Sequence, residues 1–308
     1  MLSLHYRLKP ACVSPHPTLQ DGTSKVMNGS LFRGRWILLA SSVCLTLALF
    51  SSSETSQERH VKLQLVAAED AVVPGKELWL GIWFDLQDGW HTYWVNPGDS
   101  GEAPHISWRL PPGFKAGDIQ WPHPERLGTP PFADYGYQRQ ALLIVPVRPP
   151  AHLREGETEK LAAVVHYLIC KDICIPGEEQ LELSLPVKNR ATGSTGRQLF
   201  ETTRSRLPRP VPRQWKVSVF SARDEFLLDL KGAELAGPAQ FFPLQAEQIE
   251  NAASQATTPI PGGIRLHLTK SKHLLKPIAR LKGVLVLGEG KAYLLDLPVS
   301  PQSKRTRT

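Results

Sequence analysis

Short runs of alternating apolar and polar residues recur along this chain from Val61 onward, with Pro/Gly-rich stretches between them. They are clearest from Val61 to Leu65, from Leu181 to Leu185 and from Trp215 to Val219. A period of two places every second side chain on the same face of a β-strand. Strands at this spacing, with no convincing long amphipathic helix, predict an all-β protein with two tandem immunoglobulin-like β-sandwich domains.

Composition divides the chain further. Residues 189–213 are rich in Arg, Ser, Thr, Gly and Pro, and the three prolines between Leu207 and Arg213 exclude a regular helix or central strand there. We expect an interdomain linker, with a short helix around residues 196–206, and a second short helix over residues 247–256. The predicted segments are a signal-peptide region at 1–53, a first sandwich at 58–188, a linker at 189–213, a second sandwich at 214–300 and a basic tail at 301–308.

The N-terminal region has the layout of an export signal. Arg33 and Arg35 precede an apolar or small-residue run from Trp36 to Phe50, and serines follow it. The run has 15 residues, and a membrane-spanning helix needs about 20, so we expect cleavage rather than a permanent membrane anchor. Translation from Met27 would give a signal peptide of ordinary length. The mature protein is expected to be exported.

The net charge of +7 comes from the two ends of the chain. Residues 1–53 and 301–308 hold eight of the 36 basic residues and one of the 29 acidic residues, which leaves 28 of each between them. A near-neutral folded part lacks the basic surface of a nucleic-acid-binding protein. We therefore expect no nucleic-acid partner.

Cys170 and Cys174 are the only cysteines outside the signal-peptide region. They could form a structural disulfide, although a five-residue loop gains only about 2 kcal/mol in the chain-entropy model. With His166 they could instead hold Cu(I) or Zn(II), but no second Cys/His pair completes a tetrahedral site. They could also be a redox pair, because close spacing lets one thiol resolve a mixed disulfide formed by the other. The residues alone leave these alternatives open.

Four sequence blocks resemble the N-terminal periplasmic domain of the DsbD family of thiol:disulfide interchange proteins, in the variant found in ScsB-type suppressors of copper sensitivity. The resemblance covers about residues 61–187. Its blocks are Asp88–Gly101, Trp108–Pro111 with Trp121-Pro122, Asp134–Tyr137, and Cys170–Pro176.

The resemblance implies an immunoglobulin-like sandwich whose Cys170–Cys174 pair bridges neighbouring strands and relays electrons without a cofactor or a bound metal. Its expected partners are a thioredoxin-like redox donor or a DsbD-type membrane protein, and oxidised periplasmic substrate proteins. A periplasmic location follows from the same resemblance, as does a link to cytochrome c biogenesis or copper tolerance. By family analogy Cys174 joins the partner and Cys170 resolves the mixed disulfide.

The resemblance also suggests the residues around the pair. In this family an aromatic cap loop shields the cysteines, and block order places that loop at Phe132 to Gly136, which makes Phe132, Asp134, Tyr135 and Gly136 candidates. His91 and Tyr93 share one face of an aromatic strand expected beside the cysteines. His166, four residues before Cys170, is a further candidate.

Full-length members of the family continue into a membrane domain and a thioredoxin-like domain. After residue 53 this sequence has no long apolar segment, so we expect the electron donor to be a separate polypeptide. The leading hypothesis is an exported thiol:disulfide interchange domain. The alternative is a non-catalytic β-sandwich binding module, linked to copper handling, with a structural disulfide or Cu(I)-binding thiols.

Overall fold

A computed structural model describes residues 60–128, 131–232, 238–288 and 290–301 of the chain. The predicted signal peptide, the alternative start at Met27 and nearly all of the basic tail lie outside the described residues. Within the described part, no helix is both long and apolar enough to cross a membrane.

Two sheets made from the first ten strands form what we call the N-terminal sandwich. One sheet has the order β1-β2-β8-β5 and the other β10-β9-β3-β7-β6, with β4 also paired to β9. The strands are β1 (Val61–Ala67), β2 (Leu78–Leu86), β3 (His91–Gly98), β4 (His105–Arg109), β5 (Lys115–Ala116), β6 (Glu125–Leu127), β7 (Asp134–Gln138), β8 (Gln140–Arg148), β9 (Thr158–Cys170) and β10 (Cys174–Pro186).

The predicted alternation accounts for the core of this sandwich. In β1, Val61, Leu63 and Leu65 are buried while Lys62 is exposed. Apolar residues from both sheets meet in one cluster, including Ile82 and Leu143 from one sheet and Val165 from the other. The all-β prediction is therefore confirmed.

The last eight strands form what we call the C-terminal sandwich, with the sheet order β14-β17-β18-β12-β13-β16-β15 and β11 paired to β18. The strand β18 pairs antiparallel with β17 and parallel with β12, and so joins the two layers. The strands are β11 (Arg209–Pro210), β12 (Lys216–Ser221), β13 (Glu225–Lys231), β14 (Ala239–Pro243), β15 (Thr257–Ile260), β16 (Gly263–Thr269), β17 (Arg280–Leu287) and β18 (Lys291–Pro301).

The sheet formed by β14, β17 and β18 is covered on both faces. Phe241 and Leu285 point into the core of the C-terminal sandwich. Their neighbours Phe242 and Val284 pack into the cluster that forms the core of the N-terminal sandwich. A layer that is apolar on both sides joins the two sandwiches through a shared hydrophobic contact.

The segment predicted as a linker contains the expected short helix, α1 (Arg197–Ser205). Its residue Phe200 is fully buried and packs with Ala68 and Ile144 on the outer face of the N-terminal sandwich. The proposed division at residues 188 and 214 stays a prediction.

The short helix expected over residues 247–256 is wrong. The segment contains turns and a β-bridge from Ile249 to Lys270, and Glu247 has a φ of 61°, which a right-handed helix excludes. Its polar groups bind elsewhere, because the carbonyl oxygens of Asn251 and Ala253 accept hydrogen bonds from Arg126 of the N-terminal sandwich. Tertiary contacts have overridden the weak helical preference of this segment.

Candidate redox site at the tip of the β9–β10 hairpin

Cys170 and Cys174 are joined by a disulfide at the tip of the hairpin formed by β9 and β10. They are directly opposite in the strand register, and the intervening turn is closed by a hydrogen bond of 3.1 Å from the Lys171 N–H to the Ile173 carbonyl. Their Cα atoms are 4.2 Å apart. A Cys-x-x-x-Cys spacing is therefore what this tight hairpin requires for a bridge across its end.

The two sulfur-bearing residues differ in exposure. Cys170 is 3% exposed because β9 lies between β10 and β3, where His91 is its register partner. Cys174 is exposed because β10 is the edge strand of the sheet. A protein partner can therefore reach one end of the bond and not the other.

Tyr93 provides the main polar contact of the buried sulfur. Its hydroxyl donates a hydrogen bond of 2.8 Å to Cys170 Sγ and lies 3.8 Å from Cys174 Sγ. Burial raises the pKa of Tyr93, the Asp134 carboxylate raises it further, and a hydrogen bond with the Ser100 side chain opposes the rise. The hydroxyl thus stays protonated near neutral pH and can donate to sulfur.

His91 lies on the same face of β3 as Tyr93, as the period-two pattern predicted. The two rings meet edge to face with centroids 5.2 Å apart. Burial lowers the pKa of His91, although the Asp134 carboxylate works in the opposite direction. We infer a neutral imidazole beside the disulfide at neutral pH.

Two loop segments pack behind Tyr93, and we call them the loop pair: residues 98–101 and residues 131–134. The Ser100 N–H and hydroxyl donate to the carboxylate of Asp134, at 2.9 to 3.0 Å. Asp99 and Ala133 bond twice, from the Ala133 N–H to Asp99 Oδ2 at 2.7 Å and from the Asp99 N–H to the Ala133 carbonyl at 3.1 Å. The two segments therefore form one hydrogen-bonded structure.

Gly101 brings the loop pair against the tyrosine ring. It has a φ of +82°, and a Cβ at this position would lie 2.1 Å from Tyr93 Cζ. Only glycine permits this approach. The position of the ring, and with it the hydroxyl on Cys170, depends on the loop pair.

The predicted cap residues lie in different environments. Phe132 is 63% exposed at the edge of the loop pair. Asp134 is buried on Ser100, as described above. Tyr135 is buried against the C-terminal sandwich, where its ring contacts Phe242 and its hydroxyl donates to Asn251. Of the two aromatic cap candidates, Phe132 is therefore the exposed one, and its role as a cap stays a prediction.

Gly136 is required by the packing of β7 on β3. A Cβ there would lie 2.0 Å from the Thr92 carbonyl oxygen. Because Thr92 directly precedes Tyr93, a side chain at residue 136 would push on the strand that carries the tyrosine.

His166 is exposed and lies away from the sulfurs. It is four residues along β9 from Cys170, or about 13 Å at the rise of a β-strand. Its Nδ1 is 3.5 Å from Glu178 Oε2, and its ring stacks on His105. The structure therefore does not bring His166 beside the sulfurs, because its register partners are Glu178 on β10 and His105 on β4.

A metal site would need more ligands than the disulfide supplies. Across the described ranges, no group of three or more His, Cys, Asp and Glu side chains lies close enough to hold an ion. His166, the third ligand in the Cu(I) or Zn(II) alternative, lies away from the two sulfurs.

The sequence did not identify Asp99, Ser100, Gly101 and Asn251 as site residues. The first three belong to a block that was recognised, but their contact with residues 131–134 follows a register shift between Tyr93 and Gly98 that no periodicity reveals. Asn251 lies more than 150 positions away in sequence from Asp99, and no local motif marks it.

Comparison with known proteins identifies a family over the part of the chain that contains the disulfide. The family model described as "Thiol:disulfide interchange protein DsbD, N-terminal" matches residues 62–186. Among curated proteins, no sequence matches the chain significantly.

Solved structures extend the likeness beyond the matched residues. The N-terminal periplasmic domain of ScsB from Proteus mirabilis is 14% identical, with a TM-score of 0.60, and the match covers 80% of this chain and 95% of that one. The major pilin subunit BcpA of Bacillus cereus is 8% identical, with a TM-score of 0.26, and the match covers 78% of this chain and 66% of that one. The ScsB match shows a shared fold that includes both sandwiches.

Proposed function

Residues 62–186 belong to the DsbD N-terminal family, and from this premise we propose that the Cys170–Cys174 pair passes reducing equivalents from a thioredoxin-like donor to oxidised proteins. The observation that carries the proposal is the asymmetry of the bond. Its exposed end is Cys174, and its buried end, Cys170, accepts a hydrogen bond from Tyr93.

Reduction of the pair begins at the exposed end. A donor thiolate attacks Cys174 Sγ, a donor–Cys174 disulfide forms, and the Cys170–Cys174 bond breaks with its electron pair going to Cys170. Tyr93 donates to the departing Cys170 thiolate and so favours bond breaking, because hydrogen bonds to charged acceptors are the stronger ones. The donor's second cysteine, as a thiolate, then attacks the donor sulfur that is bonded to Cys174. A disulfide forms within the donor, and Cys174 leaves as a thiolate.

Delivery of the electrons reverses these roles. The Cys174 thiolate attacks a substrate disulfide and forms a mixed disulfide, while one substrate sulfur leaves as a thiolate. The Cys170 thiolate attacks Cys174 Sγ and restores the intramolecular bond, and the second substrate sulfur leaves as a thiolate. Two electrons reach the substrate for each cycle, and no cofactor takes part.

The surroundings of Cys174 suit a protein partner. Ile173, in the turn between the two cysteines, and Phe132, in the loop pair behind Tyr93, are large apolar side chains that are 65% and 63% exposed. Apolar side chains rimmed by polar ones are common at protein–protein contacts. We propose that a thioredoxin-like domain, free or part of a DsbD-type membrane protein, docks there in the periplasm. The links to cytochrome c biogenesis and to copper tolerance remain predictions.

The test is to trap the mixed disulfide. The variants Cys170→Ala and Cys174→Ala would each be activated with an aromatic disulfide reagent and mixed with a thioredoxin that lacks its resolving cysteine. We expect the Cys170→Ala variant to form a reducible covalent complex and the Cys174→Ala variant to form little, because its remaining sulfur is buried. Equal yields, or no complex from either variant, would contradict the proposed order of attack.

The reduction potential separates this function from a structural bridge. A relay disulfide is expected between about −120 and −270 mV, whereas structural bridges lie below about −300 mV. Equilibration of the full chain in glutathione buffers gives the value directly.

A further inference from the structure

A buried side chain of the C-terminal sandwich, Asn251, contacts the loop pair. Asn251, 6% exposed, donates from Nδ2 to Asp99 Oδ1 at 2.7 Å and accepts from the Tyr135 hydroxyl at 2.9 Å. Asp99 uses its other oxygen to hold the Ala133 N–H. A single amide thus joins both segments of the loop pair to the strand β7.

The turn that carries Asn251 is itself held on the N-terminal sandwich. The guanidinium of Arg126 donates to the carbonyl oxygens of Asn251 and Ala253. Nearby, Asn96 Nδ2 donates to the Pro243 carbonyl at 2.8 Å, and the Phe242 ring packs edge-on against Trp94 and Tyr135. These contacts fix where the Asn251 amide lies relative to β3 and β7.

A continuous set of contacts runs from this amide to the disulfide. Asn251 holds Asp99, and two residues further Gly101 packs against the Tyr93 ring. Between them Ser100 is bound to Asp134. The Tyr93 hydroxyl then donates to Cys170 Sγ.

We propose that Asn251 is a positioning residue for the redox pair: by holding the loop pair in place, the C-terminal sandwich keeps the Tyr93 hydroxyl on Cys170 and so sets the dithiol–disulfide equilibrium. The inference deepens the proposed relay function and rests on it. It gives the C-terminal sandwich a part in the redox chemistry, although the hydrogen bonds to the sulfurs among the described residues come from Tyr93 of the N-terminal sandwich.

The direction of the effect follows from the chemistry of the two states. The hydrogen bond from Tyr93 is stronger to a Cys170 thiolate than to a disulfide sulfur, because the thiolate is charged. Loosening the loop pair weakens this bond and shifts the equilibrium towards the disulfide. For Asn251→Ala we expect the equilibrium constant with glutathione to shift by about threefold to tenfold, which corresponds to part of one charge-assisted hydrogen bond.

The decisive experiment is a double-mutant cycle with Tyr93→Phe in the full chain. If Asn251 acts through the tyrosine, Asn251→Ala shifts the equilibrium constant in the wild-type background and leaves it unchanged in the Tyr93→Phe background. Equal shifts in both backgrounds would overturn the proposal, and so would no shift in either.

Two further variants separate a change in the redox equilibrium from a loss of stability. Asn251→Asp keeps an acceptor for Tyr135 but places a second carboxylate against Asp99, so it should shift the constant in the same direction even if the alanine variant is unstable. Val286→Ala removes apolar packing of β17 against the core of the N-terminal sandwich and deletes no hydrogen-bonding group. It should lower the melting temperature and leave the constant unchanged; a shift like that of Asn251→Ala would overturn the proposal.

The outcome does not depend on a protein partner. If the full chain fails to exchange with any thioredoxin-like donor, the relay function is wrong, but the cycle with glutathione still measures the coupling. If exchange is normal and the cycle shows no coupling, only the role of Asn251 is wrong.

Discussion

Replacing Tyr93 by Phe removes one oxygen atom from the site and leaves the ring in place. The ring is fully buried between β3, the loop pair and the hairpin tip, and Phe fits the same space. The hydroxyl donates to Cys170 Sγ at 2.8 Å. The substitution therefore tests the hydrogen bond rather than the packing.

The expected shift follows from the difference between the two redox states. A hydrogen bond to a charged acceptor contributes about 1.5–3 kcal/mol, and a neutral one about 0.5–1.5 kcal/mol. The reduced form, with Cys170 as a thiolate, thus loses about 1–1.5 kcal/mol more than the disulfide does. Since 1.4 kcal/mol corresponds to about 30 mV for a two-electron couple, the potential should fall by about 20–30 mV.

Glutathione equilibration of both proteins, followed by separation of the dithiol and disulfide forms, measures this shift. Tyr137→Phe is the matched control, because Tyr137 is equally buried on the neighbouring strand β7 but donates to the Pro122 carbonyl. It should lose a comparable amount of stability with no change in potential. An unchanged or higher potential for Tyr93→Phe would refute the assignment of Tyr93 as the donor to the Cys170 thiolate.

Other outcomes follow from the same contacts. Gly136→Ala should lower the free energy of unfolding by about 1–3 kcal/mol, typical of overpacking, because its Cβ meets the Thr92 carbonyl; chemical denaturation would show it, and an unchanged midpoint would contradict the packing described. The Thr192 N–H and the Lys188 ammonium lower the pKa of Asp70 to about 2, below the unfolded value of about 3.9. The stabilising contribution of the Asp70 carboxylate is thus present above about pH 4 and lost as the pH falls towards 2. Between these values the melting temperature of Asp70→Asn should fall less steeply than that of the wild type. Parallel curves for the two proteins would contradict this assignment. Phe132→Ala should slow exchange with a thioredoxin-like donor by about tenfold or less, in line with a single apolar contact, while reduction by a small thiol keeps its rate; equal slowing of both reactions would argue against a docking role.

Sequence periodicity predicted the sheets well because most strands have one buried face. In β1 the alternate apolar residues Val61, Leu63 and Leu65 are those that meet in the core. It failed over residues 247–256, where the backbone carbonyls are used by Arg126. A contact made by a residue more than 120 positions away has no local signature.

The site could be predicted in part. The family resemblance implied that the cysteine pair bridges neighbouring strands and that the aromatic strand with Tyr93 lies beside it. The sequence could not distinguish Phe132 from Tyr135 as the cap, since the difference arises from Phe242 and Asn251 of the other sandwich. Nor could it show that Cys174 lies on an edge strand while Cys170 does not, because exposure depends on strand order rather than on neighbours in sequence.

The layer of β14, β17 and β18 has a practical meaning for anyone who wishes to isolate the redox half. Truncation after residue 188 would remove Phe242 and Val284 from the core cluster that contains Trp94 and Tyr135. An apolar surface would then be exposed next to the loop pair. The fragment would be prone to aggregation, and its Tyr93 would be less firmly positioned. Its reduction potential would therefore differ from that of the full chain. Heat or urea should melt the two halves together in a single cooperative step.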